Sequence, residues 1–151
     1  MELKDAMADL GTGQKPIVMS HYPHMLSEDI EVWSKFLAKM SKVITRVWYD
    51  LHVGKPARLP AGSSDVLKKV AAGVTRKRID AVCLVGREYW VIEVKPFANM
   101  TALGQAFSYS RLFALEYENY KPVKAVVVCD SVDADMVGPY GELGVMVFVN
   151  E

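Results

Sequence analysis

The sequence predicts an α/β (α+β) fold, a mixed central β-sheet covered by helices on both faces. Three observations point there. Segments of helical period alternate with strand-like segments in the order α-β-(α)-β-β-α-β-α-β. Several of the strands, among them VKAVVVCD and VMVFVN, are near-continuous apolar runs, as strands buried on both faces are. RIDAVCLV and EYWVIEVK are separated only by Gly86-Arg87, so at least one strand pair is an antiparallel hairpin.

The elements follow in order. Residues 1–26, with Gly11, Gly13, Pro16 and Pro23 and no clean periodicity, read as an irregular arm, and 27–151 as one domain. SEDIEVWSKFLAKM (27–40) reads as a helix. Ser27 is the candidate cap, Glu28 and Asp29 suit the positive end of the dipole, and Ile30, Trp33, Phe36, Leu37 and Met40 recur at helical spacing. KVITRVWYDLHV (42–53) is β-branched and aromatic and reads as a strand. Residues 54–64 read as a loop and SDVLKKVAA as a short helix ending near Gly73. Strands at 78–85 and 88–95 flank a type II′ turn that begins with Gly86. TALGQAFSYSRLFALEYENY (101–120) reads as a long helix capped by Thr101. Strands at 123–130 and 145–150 close the chain, with a short helix or turn between them.

The bulk numbers fit this architecture. With 151 residues, 51% hydrophobic and 24% charged, the chain suits one soluble domain with a real core. No apolar run is long enough to span a membrane, and the N-terminus lacks the basic start and apolar stretch of a signal peptide, so the expectation is a cytoplasmic protein. Cys83 and Cys129 sit inside apolar runs and read as free buried thiols. Net charge is zero, which excludes a global pull toward nucleic acid. The charge is nonetheless uneven. Residues 55–78 hold Lys55, Arg58, Lys68, Lys69, Arg76, Lys77 and Arg78 against Asp65 alone, whereas 130–151 hold five acids and no Lys or Arg. The basic stretch reads either as a solvated surface or as a footprint for phosphate, with Lys68, Lys69, Arg76, Lys77 and Arg78 as the candidate contacts. His21 and His24 (HYPH) lack a neighbouring Cys or carboxylate and read as loop residues rather than as a metal pair.

The chemistry gathers at the hairpin. With Gly86 and Arg87 as the loop, Val85 pairs with Glu88 and, counting back, Asp80 stands across from Glu93. Lys95 shares that face, two residues on. The pleat then places Arg78, Asp80, Val82, Leu84, Tyr89, Val91, Glu93 and Lys95 on one face, and Ile79, Ala81, Cys83, Val85, Glu88, Trp90, Ile92 and Val94 on the other. Two carboxylates held this close repel each other. Two arrangements relieve that: a structural ion-pair cluster with Lys95 and Arg78, or a divalent cation such as Mg²⁺, which binds through one or two carboxylates and a substrate phosphate. In the second, a lysine alongside can hold a water.

RIDAVCLVGREYWVIEVK resembles the core motif of the PD-(D/E)xK (restriction-endonuclease-like) nuclease superfamily: an acid near the start of one strand, a hairpin, then an apolar strand ending in E-x-K. Gln105 and Tyr109 in GQAFSY resemble the Q-x-x-x-Y of its exonuclease-like branch. The resemblance covers about residues 27–130 and implies an αβββαβ core, here with a C-terminal α-β extension. The proline that often precedes the motif Asp is replaced by Ile79. By this resemblance Asp80, Glu93, Lys95, Gln105 and Tyr109 are the catalytic set. Asp80, Glu93 and the Val94 carbonyl would hold Mg²⁺ or Mn²⁺, joined by an acid of the first helix, Glu31 in preference to Glu28.

The resulting expectation is a metal-dependent nuclease acting on phosphodiester bonds, with DNA the favoured substrate, although the sequence does not separate DNA from RNA. Its size resembles that of compact nucleases of viruses and mobile elements and of junction-cleaving enzymes that work as homodimers. The competing expectation is a catalytically idle protein of the same fold, with a nucleic-acid-binding or assembly role, for instance in a virus particle. A further alternative is an unrelated α/β enzyme built on the histidine pair.

Overall fold

A computed structural model describes residues 8–151; the first seven residues of the expected arm lie outside the described residues. The elements are α1 (Ser27–Met40), β1 (Ile44–Val53), α2 (Asp65–Thr75), β2 (Lys77–Val85), β3 (Glu88–Val94), β4 (Phe97–Ala98), α3 (Met100–Glu116), β5 (Val123–Cys129), β6 (Ser131–Val132), α4 (Val137–Glu142) and β7 (Val145–Val149). Five strands form one sheet in the order β1-β2-β3-β5-β7. The β1-β2-β3 side is antiparallel and the β3-β5-β7 side parallel, so the sheet is mixed. Among the described residues no helix is long and apolar enough to cross a membrane.

The central strands read as apolar runs because both faces are covered. Val32, Trp33, Phe36 and Leu37 of α1 pack on one face, against Ala81, Cys83, Ile92, Val94, Val126 and Val128. On the other, Ala102, Leu103 and Ala106 of α3 meet Val127 and Cys129, and Phe113 meets Val82 and Val91. Both cysteines are buried and free. In contrast, α2 buries only Ala71 and leaves Val66, Leu67, Val70 and Val74 exposed.

The hairpin register runs from Val85↔Glu88 to Ala81↔Ile92. Gly86 supplies the positive φ (60°) that the first turn position requires; Arg87 does not share it, which distinguishes type II′ from type I′. The arm covers the open edge of the sheet. Gln14 and Val47 exchange two backbone hydrogen bonds of 2.8 Å, and Leu10 and Tyr22 are buried.

Four local expectations are corrected. Ser27 lies inside the first turn of α1; Leu26 is the residue before it, and no side chain caps that end. Asn99, not Thr101, caps α3: its Oδ1 accepts from the Ala102 amide at 3.0 Å. This helix ends at Glu116 because Tyr117 leaves helical geometry, stacking on Phe113 with ring centroids 4.9 Å apart and meeting Tyr120 edge-on. Ile79, finally, faces Val82 and Val91 instead of Ala81. The simple alternation fails there because Asp50, bracketed on β1 by the pairs Tyr49↔Ala81 and Leu51↔Ile79, has a left-handed backbone (φ 51°). Tyr49 packs on the α1 side and Leu51 on the α3 side, so the pleat of both strands is displaced at this level.

Candidate functional site

The β2–β3 ladder stops at Ala81↔Ile92, and beyond it a side chain replaces the backbone acceptor. Asp80 Oδ2 accepts the Val94 amide at 2.9 Å. Lys95 leaves the hairpin altogether, its amide donating to Val128 O of β5 at 3.0 Å. The strand ends thus separate around Asp80, Glu93 and Lys95.

Glu93 is 3% exposed, and its Oε1 is buried without a hydrogen-bond donor. Burial first, and then the Asp80 carboxylate, push its pKa well above the usual glutamate range; Lys95 pulls the other way. Burial also raises Asp80, to about 6, against the lowering effect of the Val94 amide; Asp29 raises it further and Lys95 lowers it. Asp29 is itself raised by burial and lowered by Lys95. The group therefore contains three carboxylates from three elements and one lysine among them. Close, buried acids of this kind keep a proton or take a cation.

From α3, Tyr109 and Gln105 complete the wall. The Tyr109 hydroxyl is raised by burial and by the nearby Glu93 carboxylate, with the Gln105 amide beside it acting in the opposite direction. Gln105 Oε1, like Glu93 Oε1, is a buried acceptor without a donor. Two orphaned oxygens beside a repelling carboxylate pair fit a hard divalent cation with oxygen ligands. Among the described residues no group of three or more His, Cys, Asp or Glu side chains is placed to hold a metal ion by itself. The donor set suits a cation that keeps water and substrate oxygens in its shell, and does not suit structural zinc.

Not every expected residue joins this group. Glu31 points outward and pairs with Lys35 at 3.8 Å; the α1 acid near Asp80 and Lys95 is Asp29. Helical spacing explains the difference: Asp29 lies three and four residues before the buried Val32 and Trp33, whereas Glu31 lies four before the exposed Lys35. Arg76 is held in the structure, with NH2 at 2.8 Å from Glu116 Oε2 and Nε donating to Gly54 O at 2.8 Å. Lys77 is exposed at the start of β2, and Lys68 and Lys69 are exposed on α2. The two histidines of HYPH do not converge. His21 is exposed, and His24 lies 3.1 Å from Asp50 and 2.8 Å from Arg78. A separate cleft of about 480 Å³, lined by Arg111, Lys121 and Lys124 among others, shares no residue with the carboxylate group.

The backbone superposes on that of a repair endonuclease from Pyrococcus abyssi with a TM-score of 0.52 at 13% identity, covering 88% of this chain and 50% of that one. A complex of EndoMS with double-stranded DNA gives a TM-score of 0.48 at 12% identity, covering 88% and 49%. The chain thus spans about half the length of the solved structures it matches, and the likeness is one of fold. No family model and no curated protein matches the sequence.

Proposed function

We propose that the chain is a PD-(D/E)xK nuclease that hydrolyses phosphodiester bonds of DNA with Mg²⁺ or Mn²⁺. The observation that carries this reading is Glu93: a carboxylate buried beside Asp80, with one oxygen lacking any donor and Lys95 two residues on. A stability argument alone gives no reason to bury two acids with a single lysine; a site that receives a cation does. The fold shared with a repair endonuclease supports the reading.

Asp80, Glu93 and the Val94 carbonyl would hold the cation, which when bound supplies positive charge to the carboxylates and to the scissile phosphate. Lys95 orients the attacking water by hydrogen bonding from Nζ. Asp29, electrostatically coupled to Lys95, fixes where that ammonium points. Gln105 and Tyr109 wall the site from α3 and limit how the substrate enters. The water oxygen forms the new P–O bond as the bond to the leaving sugar oxygen breaks.

The deciding experiment is cleavage of supercoiled plasmid and linear single-stranded DNA with Mg²⁺ or Mn²⁺, wild type beside Asp80→Ala and Lys95→Ala. Metal-dependent cutting lost in both variants supports the reading. A folded wild type that cuts neither substrate moves the assignment to the idle, nucleic-acid-binding alternative.

A further inference from the structure

Asp50 and His24 are the only non-glycine residues with a left-handed backbone among the described residues, at φ 51° and 57°. They lie on different elements, one on β1 and one in the arm, yet they meet: His24 Nε2 is 3.1 Å from Asp50 Oδ2. Strained backbone persists only where its surroundings enforce it, and two such residues in mutual contact mark a built feature. Arg78 and His52, a cross-strand pair of β2 and β1, complete the group. His52 Nε2 is 3.9 Å and Arg78 NH1 3.8 Å from the Asp50 carboxylate.

We propose that Arg78 and His52, with His24 holding the guanidinium in place, form a pocket for one phosphodiester group of the nucleic-acid backbone, flanking the Asp80 site; the identity of that ligand rests on the nuclease reading above. The first argument is the state of Arg78. A guanidinium only donates, so in its 2.8 Å contact His24 Nδ1 must accept, and His24 carries its proton on Nε2, toward Asp50. Arg78 NH2 donates to Gly73 O at 3.0 Å. The guanidinium is thus oriented by two neutral acceptors, while the carboxylate stands off at 3.8 Å. Arg76, two residues earlier, shows the opposite state, closed on Glu116 at 2.8 Å. Arg78 keeps donors and charge for a ligand in the fork geometry that suits phosphate.

The second argument is depth. The Asp50 side chain is 18% exposed, against 33% for Arg78, 30% for His52 and 59% for His24. An anion approaching from solvent meets Arg78 and His52 before it meets the recessed carboxylate. The third is position. Arg78 is two residues before Asp80, and Asp50 and Asp80 lie at one level on neighbouring strands.

The test is fluorescence anisotropy of a labelled DNA oligonucleotide against the full chain in EDTA, across a potassium chloride series. Omitting divalent cations separates this pocket from the cation site. Arg78→Ala is expected to weaken binding about tenfold and to lower the slope of log K against log salt by about one, with His24→Ala and His52→Ala each weakening it about threefold. Arg78→Lys should keep the wild-type slope. Circular dichroism melts check folding, and His52→Ala decides the matter if Arg78→Ala does not fold. Unchanged affinity and slope in the folded variants, or no binding by wild type, overturns the pocket. Weakened variants of a protein that cuts no DNA leave the pocket standing and remove the nuclease reading. Metal-dependent cutting by a protein whose pocket variants bind like wild type removes the pocket alone.

Discussion

Asp80 accepts the Val94 amide at 2.9 Å where the β2–β3 ladder ends, so the first acid of the site terminates the hairpin as well as facing the second acid. This arrangement ties the site to stability. Burial lifts the Asp80 carboxyl to about 6 and Glu93 well above its ordinary range, whereas in the unfolded chain both ionise near pH 4. Between those limits the folded chain keeps protons that the unfolded chain has released. The associated stability is fully present below about pH 4 and is lost as pH rises through 6. For Asp80 alone the step is worth up to about 3 kcal/mol. In EDTA the melting temperature should therefore fall between pH 5 and 8; Glu93→Gln should flatten that fall, and Mn²⁺ should reverse it at pH 8. A melting temperature in EDTA that is level or rises over this range would sink the argument.

Cleavage and cation uptake should separate by residue. Asp80→Ala should lose both, because it removes an oxygen ligand and leaves Glu93 without its partner. Lys95→Ala should keep Mn²⁺ uptake by calorimetry and lose about 100- to 10,000-fold in cutting rate, the range for a group that handles a reacting water. Gln105→Ala should lose about 10- to 100-fold, as supporting residues of a metal site do. Loss of Mn²⁺ binding in Lys95→Ala would instead give the lysine a structural role.

Much of this site is legible in the sequence because a hairpin is local. Once Gly86-Arg87 is taken as a two-residue loop, the register of every pair from Val85↔Glu88 to Ala81↔Ile92 follows by counting. Counting fails where a distant contact intervenes. The left-handed Asp50 displaces the pleat, so Ile79 faces the α3 side. Net charge over 55–78 gives no sign that Glu116 holds Arg76, forty residues downstream. His24 looks isolated in HYPH because its partners, Asp50 and Arg78, arrive from two strands. Asp29 was within reach: the buried stripe Val32, Trp33, Phe36 and Leu37 already places it on the inner face of α1.

That reassignment on α1 has its own test. Asp29 is electrostatically linked to Lys95 and Asp80, whereas Glu31 pairs with the exposed Lys35. Asp29→Asn should reduce cutting about 10- to 100-fold and shift its pH dependence, since the charge that holds Lys95 is gone. Glu31→Gln should cut like wild type, because an exposed pair of this kind contributes little. The reverse pattern would restore Glu31 to the site.

Arg76 separates structural from nucleic-acid-facing charge within one basic run. Its guanidinium bonds both Glu116 oxygens, at 2.8 and 3.1 Å, and the Gly54 carbonyl, while Glu116 also accepts the Gly54 amide. The contacts join the end of β1, the start of β2 and the end of α3, and both side chains are less than a third exposed, at 27% and 30%. Removing the arginine strands a partly buried carboxylate and a carbonyl together. Arg76→Ala should therefore cost about 1–3 kcal/mol in denaturant unfolding, the cost of leaving such groups unsatisfied. Glu116→Gln should recover only part of that stability in the double variant, because the Gly54 carbonyl stays unpaired. The salt slope for DNA should not change in Arg76→Ala, since this charge never faces the ligand, and a slope lowered by about one would reassign Arg76 to the phosphate contacts.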